Sequence, residues 1–322
     1  MRKRWQRLIL GALCIWLLPL DAYAADLLIP GGQVIGLQLR QDTVTVAAFD
    51  DSLGSNAKEA GLKIGDEIEW IDDYRIQCAQ DVLEALEHSD GAVEIRVNRA
   101  GNIRELKMNP RITGQGPRLG VYLRDGITGI GTVSWYDPED GSFGALGHGV
   151  NDAGGNLVDM TVGECYQAAI VEVRKGKSGE PGQLRGAVEA GQVLGPLDRN
   201  TEQGVFGKCE TGWPGEALPV GAPEDVQTGE AIIRSTVAGN QTREYSVEIM
   251  KIYPNSGNKG RNFLLRVTDP ALLETTGGIV QGMSGSPLVQ DGKLIGAVTH
   301  VLVNDPTMGY GIFIENMLEA AG

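Results

Sequence analysis

Histidine is scarce in this chain, with only His88, His148 and His300 among 322 residues. A side chain that trades protons near neutral pH is most readily an imidazole, so base catalysis by histidine has three candidates. Large aromatics are also few: 5 Phe and 5 Trp stand against 46 Gly. Glycine at twice its ordinary share argues against a helical bundle and for many tight turns between short strands. Positive charge is in deficit, with 28 Lys+Arg against 42 Asp+Glu and a formal charge of −14, which argues against a nucleic-acid binder. The 4 cysteines include no CxxC pair, so a zinc or thiol-redox site is not indicated. No metal or cofactor is implied, because no His/Cys/Glu cluster has ligand spacing. Beyond the N-terminus, no apolar run is long enough to span a membrane.

What is present is ordinary globular material, 42% hydrophobic and 22% charged, and the length suggests two domains. Residues 1–24 form a separate segment. Arg2, Lys3, Arg4 and Arg7 precede an apolar run from Leu8 to Leu20, then Ala22-Tyr23-Ala24-Ala25. This is the order of a secretory signal, with cleavage after Ala24 or retention as an anchor. Leu13 directly before Cys14 speaks against a lipoprotein signal. Either outcome exports the remainder, whose charge becomes −17 once four basic residues and Asp21 are set aside. The exported cysteines Cys78, Cys165 and Cys209 are odd in number, so at least one is unpaired within the chain. Buried free thiols and a Cys165–Cys209 disulfide both remain open.

The Pro/Gly-rich stretch Asn109 to Pro117 reads as a linker, with residues 113–117 at its centre. It divides residues 30–112 from residues 118–322. In the first part, Val44–Ala47, Glu67–Ile71, Val93–Val97 and Ile103–Met108 read as strands, and Ala79–Glu87 reads as an amphipathic helix. The string Asn56-Ala57-Lys58-Glu59-Ala60-Gly61-Leu62-Lys63-Ile64-Gly65-Asp66-Glu67-Ile68 resembles the central signature of PDZ domains. Small Ala57 and Ala60 allow a tightly packed short helix, Gly61 ends it, and Leu62 and Ile64 are expected in the core. Upstream, Gly31-Gly32-Gln33-Val34-Ile35-Gly36-Leu37 resembles the PDZ carboxylate-binding loop. That implies backbone N–H groups around Gly31, Gly32, Ile35, Gly36 and Leu37 aimed at a peptide C-terminus, which would add a strand to the sheet edge. Docking on the chain's own second domain is the alternative.

The second part reads as mostly strand. Candidates are Gly131–Trp135, Ala168–Val173, Gly186–Glu189, Ala231–Val237, Tyr245–Ile252, Phe263–Val267, Leu294–Val303 and Gly311–Ile314. Glu315–Ala321 closes the chain as a helix. Gly, Asn and Asp punctuate the strands at short intervals, the pattern of a barrel or sandwich. The chemistry lies in two strings. In Gly144-Ala145-Leu146-Gly147-His148-Gly149-Val150, flanking glycines leave an imidazole accessible. In Gly282-Met283-Ser284-Gly285-Ser286-Pro287, glycines expose a serine hydroxyl and let the N–H groups of Gly282 and Ser284 converge as an oxyanion hole. The second string resembles the nucleophile motif of chymotrypsin-like serine peptidases, with Met283 where Asp is common and Ser286 where Gly is common. It does not fit the α/β-hydrolase elbow, which needs Gly in place of Ser286. Asp269 ends a strand before Ser284 and would complete the order His148, Asp269, Ser284. Asp137, Asp140, Asp152, Asp159 and Asp305 are rivals for that third place.

Together these strings resemble the stage IV sporulation protein B peptidases. The residues that carry it are the His148 string, Thr268-Asp269-Pro270, the run Gly277 to Pro287, Gly296-Ala297-Val298-Thr299-His300-Val301, and Asn304-Asp305-Pro306. The resemblance implies a mainly β chain: a PDZ domain followed by a chymotrypsin-like double β-barrel serine endopeptidase. It implies Ser284 as nucleophile, His148 as general base and Asp269 as the acid that orients it. It further implies a peptidase active between forespore and mother-cell membranes. There it would cleave itself and a regulatory membrane protein that restrains an intramembrane metalloprotease, which leads to late sigma-factor processing. His300 is expected to pack or line the pocket, and His88 to cap its helix. Two other functions remain open on sequence: a non-enzymatic PDZ scaffold, and an envelope quality-control protease.

Overall fold

The computed structural model describes residues 27–152, 154–254 and 260–322. The signal or anchor expected over residues 1–24 lies outside them. Among the described residues no helix is long and apolar enough to cross a membrane.

The described residues open with β1 (Leu27–Pro30) and the long β2 (Val34–Phe49). A small α/β unit follows: α1 (Ser55–Glu59), β3 (Glu67–Ile71), β4 (Tyr74–Arg75), α2 (Ala79–Glu87), β5 (Val93–Arg99), β6 (Asn102–Met108), β7 (Arg111–Thr113) and β8 (Gly116–Arg118). Then come β9 (Val121–Tyr136), β10 (Ser142–Ala145), β11 (Val162–Arg174), β12 (Gln183–Thr201), β13 (Gly204–Lys208) and β14 (Leu218–Pro219). The last stretch holds β15 (Gly229–Thr236), β16 (Thr242–Ile252), β17 (Phe263–Val267), α3 (Pro270–Thr276), β18 (Pro287–Gln290), β19 (Lys293–Leu302), β20 (Asp305–Phe313) and α4 (Ile314–Ala321).

Two closed barrels result. Strands β15, β16, β17, β20, β19 and β18 close one of them. The other closes through the pairs β2–β9, β9–β10, β10–β13, β13–β12, β12–β11 and β11–β2. This is the mainly β, double-barrel architecture of chymotrypsin-like peptidases. Each barrel fills its own interior with aliphatic and aromatic side chains. Ile233, Val247, Phe263, Leu265 and Leu288 pack the C-terminal barrel, and Ile35, Leu39, Val133, Phe143 and Val205 the N-terminal one. Cys165 and Cys209 are buried as free thiols, and burial pushes the Cys165 thiol up to about 12, so it stays protonated.

The domain boundary differs from the sequence expectation. Residues 30–112 are not one unit, and the barrel does not begin at residue 118. Val34 to Arg40 of β2 pair with β9 on one side, and Val34's successors Ile35 to Arg40 pair with β11 on the other. Further along, β2 leaves the barrel and pairs with β3 at Val44 and Thr45, while β9 follows it as partner from Val121 to Arg124. The small unit is therefore inserted between two neighbouring barrel strands. The expected linker is instead the β7–β8 hairpin, with Thr113 paired to Gly116.

The inserted unit has a core of its own, built from Val44, Val46, Ala57, Leu62, Ile68, Val82, Leu86, Ile95 and Val97. Strand β5 buries Val93, Ile95 and Val97 and exposes Glu94 and Arg96, the period-2 pattern that made it legible. Helix α2 spans the expected residues and begins where Asp81 accepts N–H bonds from Gln77 and Cys78. Gly61 takes φ +92° after α1, and Leu62 is buried. Ile64 is not a core plug: it is 64% exposed, because the turn that buries Asp66 points it outward. Asp66 is fully buried and accepts both Nε and Nη2 of Arg99, at 2.6 and 2.7 Å, and the Lys63 N–H at 2.9 Å. Burial alone would raise its pKa, but the guanidinium and the amide outweigh that and hold it below the usual carboxylate value.

Candidate active site

Strand β10 ends at Ala145, and Leu146 and Gly147 follow with φ of 70° and 68°. Two successive left-handed residues turn the chain out of the barrel and set His148 in the cleft. Asn200, at the end of β12, holds the loop beyond it. Its Oδ1 accepts the Val150 N–H, and its Nδ2 donates to the carbonyls of Val150 and Val158. Sequence reasoning missed Asn200, since nothing local marks an asparagine that acts fifty residues away.

The turn that carries Ser284 is fixed from both barrels. Thr132 of β9 donates its N–H to the Ser284 carbonyl and its hydroxyl to the Gly282 carbonyl. The N–H of Gly285 donates to Val298 of β19. Gly285 sits at φ +96°, and a Cβ there would collide with the Thr132 carbonyl, so a glycine is required. Met283, where acidic residues are common in similar motifs, is fully buried and anchors the turn in the C-terminal core. Ser286 is buried and bonds Ser235 at 3.0 Å. These restraints turn the N–H groups of Gly282 and Ser284 away from every described acceptor, and both residues line the same cleft. Two free, fixed donors beside a serine hydroxyl are what an oxyanion hole requires.

The cleft is a cavity of about 610 Å³ that holds His148, Ser284, Gly282 and His300 together between walls of Leu37, Ile130, Ile279 and Val301. Ser284 Oγ donates to the Thr299 carbonyl at 2.7 Å. His148 Nδ1 lies 2.9 Å from the Gly149 carbonyl. A carbonyl only accepts, so Nδ1 carries the proton and Nε2 is left free, the tautomer a general base needs. Burial lowers the His148 pKa, and the bond to Gly149 opposes that only in part. His300 sits with its ring centroid 5.4 Å from that of His148.

Asp269 is not part of this group. It is the N-cap of α3, where Oδ1 accepts the Leu272 N–H at 2.9 Å and Oδ2 lies 3.4 Å from the Ser246 N–H. Among the described residues no carboxylate is hydrogen-bonded to His148; Asp137, Asp140, Asp152 and Asp305 each hold their own turns. Asp159 does not line the cleft either. His88 ends α2, with Nδ1 at 2.8 Å from the Glu84 carbonyl.

The loop expected to bind a peptide carboxylate is also placed elsewhere. The N–H groups of Gly31 and Gly32 donate to Ser134 and Val133, and the Gly32 carbonyl accepts from Thr236. Ile35, Gly36 and Leu37 are central in the barrel, paired to β9 and β11. The N–H groups of Gly31 and Gly32 and the strand edges of Ile35, Gly36 and Leu37 are thus taken by the protein itself. A different turn does have them. Leu119 and Gly120, just before β9, donate their N–H groups to no described acceptor. They border a cavity of about 420 Å³ with Val82, Leu83 and Leu86 of α2 and Arg118.

Residues 115–318 match the model of the SpoIVB peptidase S55 family. No curated protein sequence matches the chain. Among solved structures, the inactive form of the Rv3671c protease aligns with TM-score 0.35 and 14% identity, over 60% of this chain and 84% of that one. A mutant of Rv3671c from M. tuberculosis H37Rv, also inactive, aligns with TM-score 0.33 and 14% identity, over 60% and 82%.

Proposed function

Because the chain belongs to the SpoIVB peptidase S55 family of serine peptidases, we propose that it is an exported endopeptidase of sporulation signalling in which Ser284 and His148 do the chemistry. The observation that carries this is the shared cleft, with a serine hydroxyl, a base-competent imidazole and two unpaired amides. His148 Nε2 takes the proton of Ser284 as Oγ attacks a peptide carbonyl. The N–H groups of Gly282 and Ser284 hold the oxyanion. The protonated imidazole then delivers its proton to the leaving amine, and water releases the acyl-enzyme by the same steps in reverse order. In place of an acid, the Gly149 carbonyl sets the tautomer.

Family membership supports the finer reading: self-cleavage, and cleavage of a regulatory membrane protein in the space between forespore and mother-cell membranes. The N-terminal segment supports export. The test is Ser284→Ala against the wild type, with a fluorophosphonate probe and with self-cleavage as readouts. We expect the variant to lose both and to keep its thermal unfolding midpoint. A wild-type chain that takes no label would leave the non-enzymatic scaffold as the better reading. Broad degradation of unfolded casein would favour a quality-control protease.

The inserted unit completes the reading as a PDZ-like module that receives a peptide C-terminus. Support comes from the groove between α2 and β9, where the Leu119 and Gly120 amides and Arg118 suit a carboxylate and Val82, Leu83 and Leu86 suit an apolar side chain.

A further inference from the structure

The proton that His148 takes from Ser284 leaves a positive ring in a cleft whose walls are largely aliphatic. A charge without a partner is costly there. An oriented acid would offset that cost, yet the one expected, Asp269, is occupied as a helix cap. What does stand beside His148 is His300, at 5.4 Å between ring centroids and tilted by 41°.

His300 is one residue beyond Thr299, whose carbonyl holds Ser284 Oγ, so this short stretch of β19 addresses nucleophile and base together. Its neighbours in the wall are Val301, Val303 and Ile279. An aliphatic residue would suit that wall, whereas His300 Nδ1 is buried with no hydrogen-bond partner. Leaving a buried polar atom unpaired costs free energy. A site that bears such a cost points to a use for the atom. We propose that His300 is a positioning residue for the peptidase reaction: its neutral ring, packed beside that of His148, orients His148 and stabilises its protonated form in place of a carboxylate.

The electrostatics agree. Two imidazoles this close resist carrying two charges at once. Burial, then His148, then the nearby Arg261 lower the His300 pKa to about 4. His300 therefore stays neutral while His148 gains and loses its proton, so no second positive charge opposes the one His148 acquires.

This inference rests on the peptidase reading above, and its test separates the two. The measurement is the rate at which a fluorophosphonate phosphonylates Ser284, a step in which Oγ bonds to phosphorus, fluoride leaves and His148 takes the proton. The rate is followed against pH in the wild type, His300→Leu and His300→Gln. In His300→Leu we expect labelling slowed about 10- to 100-fold, in the range of a general acid–base contribution, and the acid limb moved to lower pH. His300→Gln, which restores a polar acceptor at similar reach, is expected to recover part of the rate and return the limb. Unfolding midpoints identify any variant that fails to fold, and the glutamine variant then carries the comparison with the wild type. If His300→Leu labels at the wild-type rate, or if the two variants are equally slow with an unmoved limb, the positioning role is overturned while the peptidase stands. If the wild type does not label at all, the peptidase reading fails and this inference falls with it.

Discussion

Ser284 rests with its hydroxyl on the Thr299 carbonyl, so in the proposed mechanism attack would begin with a side-chain rotation that gives up one hydrogen bond. The net cost is about 1 kcal/mol, small beside a peptidase barrier. The base sets the pH dependence. His148 must be neutral to accept a proton, and burial lowers its pKa below the ordinary 6.5. The acid limb of the Ser284 labelling rate should therefore be centred below pH 6.5. An acid limb centred above pH 6.5 would contradict the half-buried placement of the ring. Asp269 makes a complementary case. An Asp directly before Pro270 at the start of a short helix is an N-cap with proline at the first helical position, and that signal was present in the sequence. Asp269→Ala should cost about 1 kcal/mol of stability, seen as a lowered unfolding midpoint, and leave labelling within a few-fold of wild type. Loss of an acid that orients the base would instead cost on the order of 10⁴ in rate, and a fall of that size would return Asp269 to the site.

At the scale of elements, local pattern served well wherever an element depends on its own sequence. Helix α2 and strands β3, β5 and β6 were legible from periodicity, and so were the turns around His148 and Ser284. The misreadings concern elements whose identity depends on distant partners. The Gly31–Leu37 string looks like a ligand loop, but its N–H groups and carbonyls are taken by residues one hundred to two hundred positions away. The Arg111–Arg118 hairpin looks like a linker because a tight turn and a flexible connection use the same residues. The groove that does have free donors lies between a helix from the middle of the inserted unit and the strand that ends it. A peptide with an apolar last residue and a free carboxylate should bind it, measured by fluorescence anisotropy. Amidating that terminus, or Arg118→Glu, should weaken binding at least tenfold, since each removes a charge-assisted contact. Equal binding of the amidated peptide would dismiss the carboxylate role of Leu119 and Gly120.

At the scale of the whole molecule, the notable feature is the insertion. Arg40 of β2 and Gly126 of β9 are direct partners in the barrel, at the point where both strands leave it. The unit beyond has a core that shares no residue with the barrel cores. Replacing residues 41–125 by an Asn-Gly turn should thus close a hairpin of the favoured type. The shortened chain is expected to unfold cooperatively and to label at Ser284. An insoluble or unreactive product would mean that the inserted unit is needed to hold the barrels or the cleft together.

The sequence by itself determined the β-rich class, the strings around His148 and Ser284 and the family they resemble. Each of these follows from residues close together in the chain, where spacing fixes geometry. Only the tertiary structure decided that the small unit is inserted, that Asp269 caps a helix and that His300 stands beside the base. Those facts depend on strand pairing and packing between distant positions, such as Arg234 donating to the Pro30 carbonyl across 204 residues. No local spacing encodes which strand will lie beside which. The three histidines with which the chain is so sparing are thereby divided, one at a helix end in the inserted unit and two in the cleft.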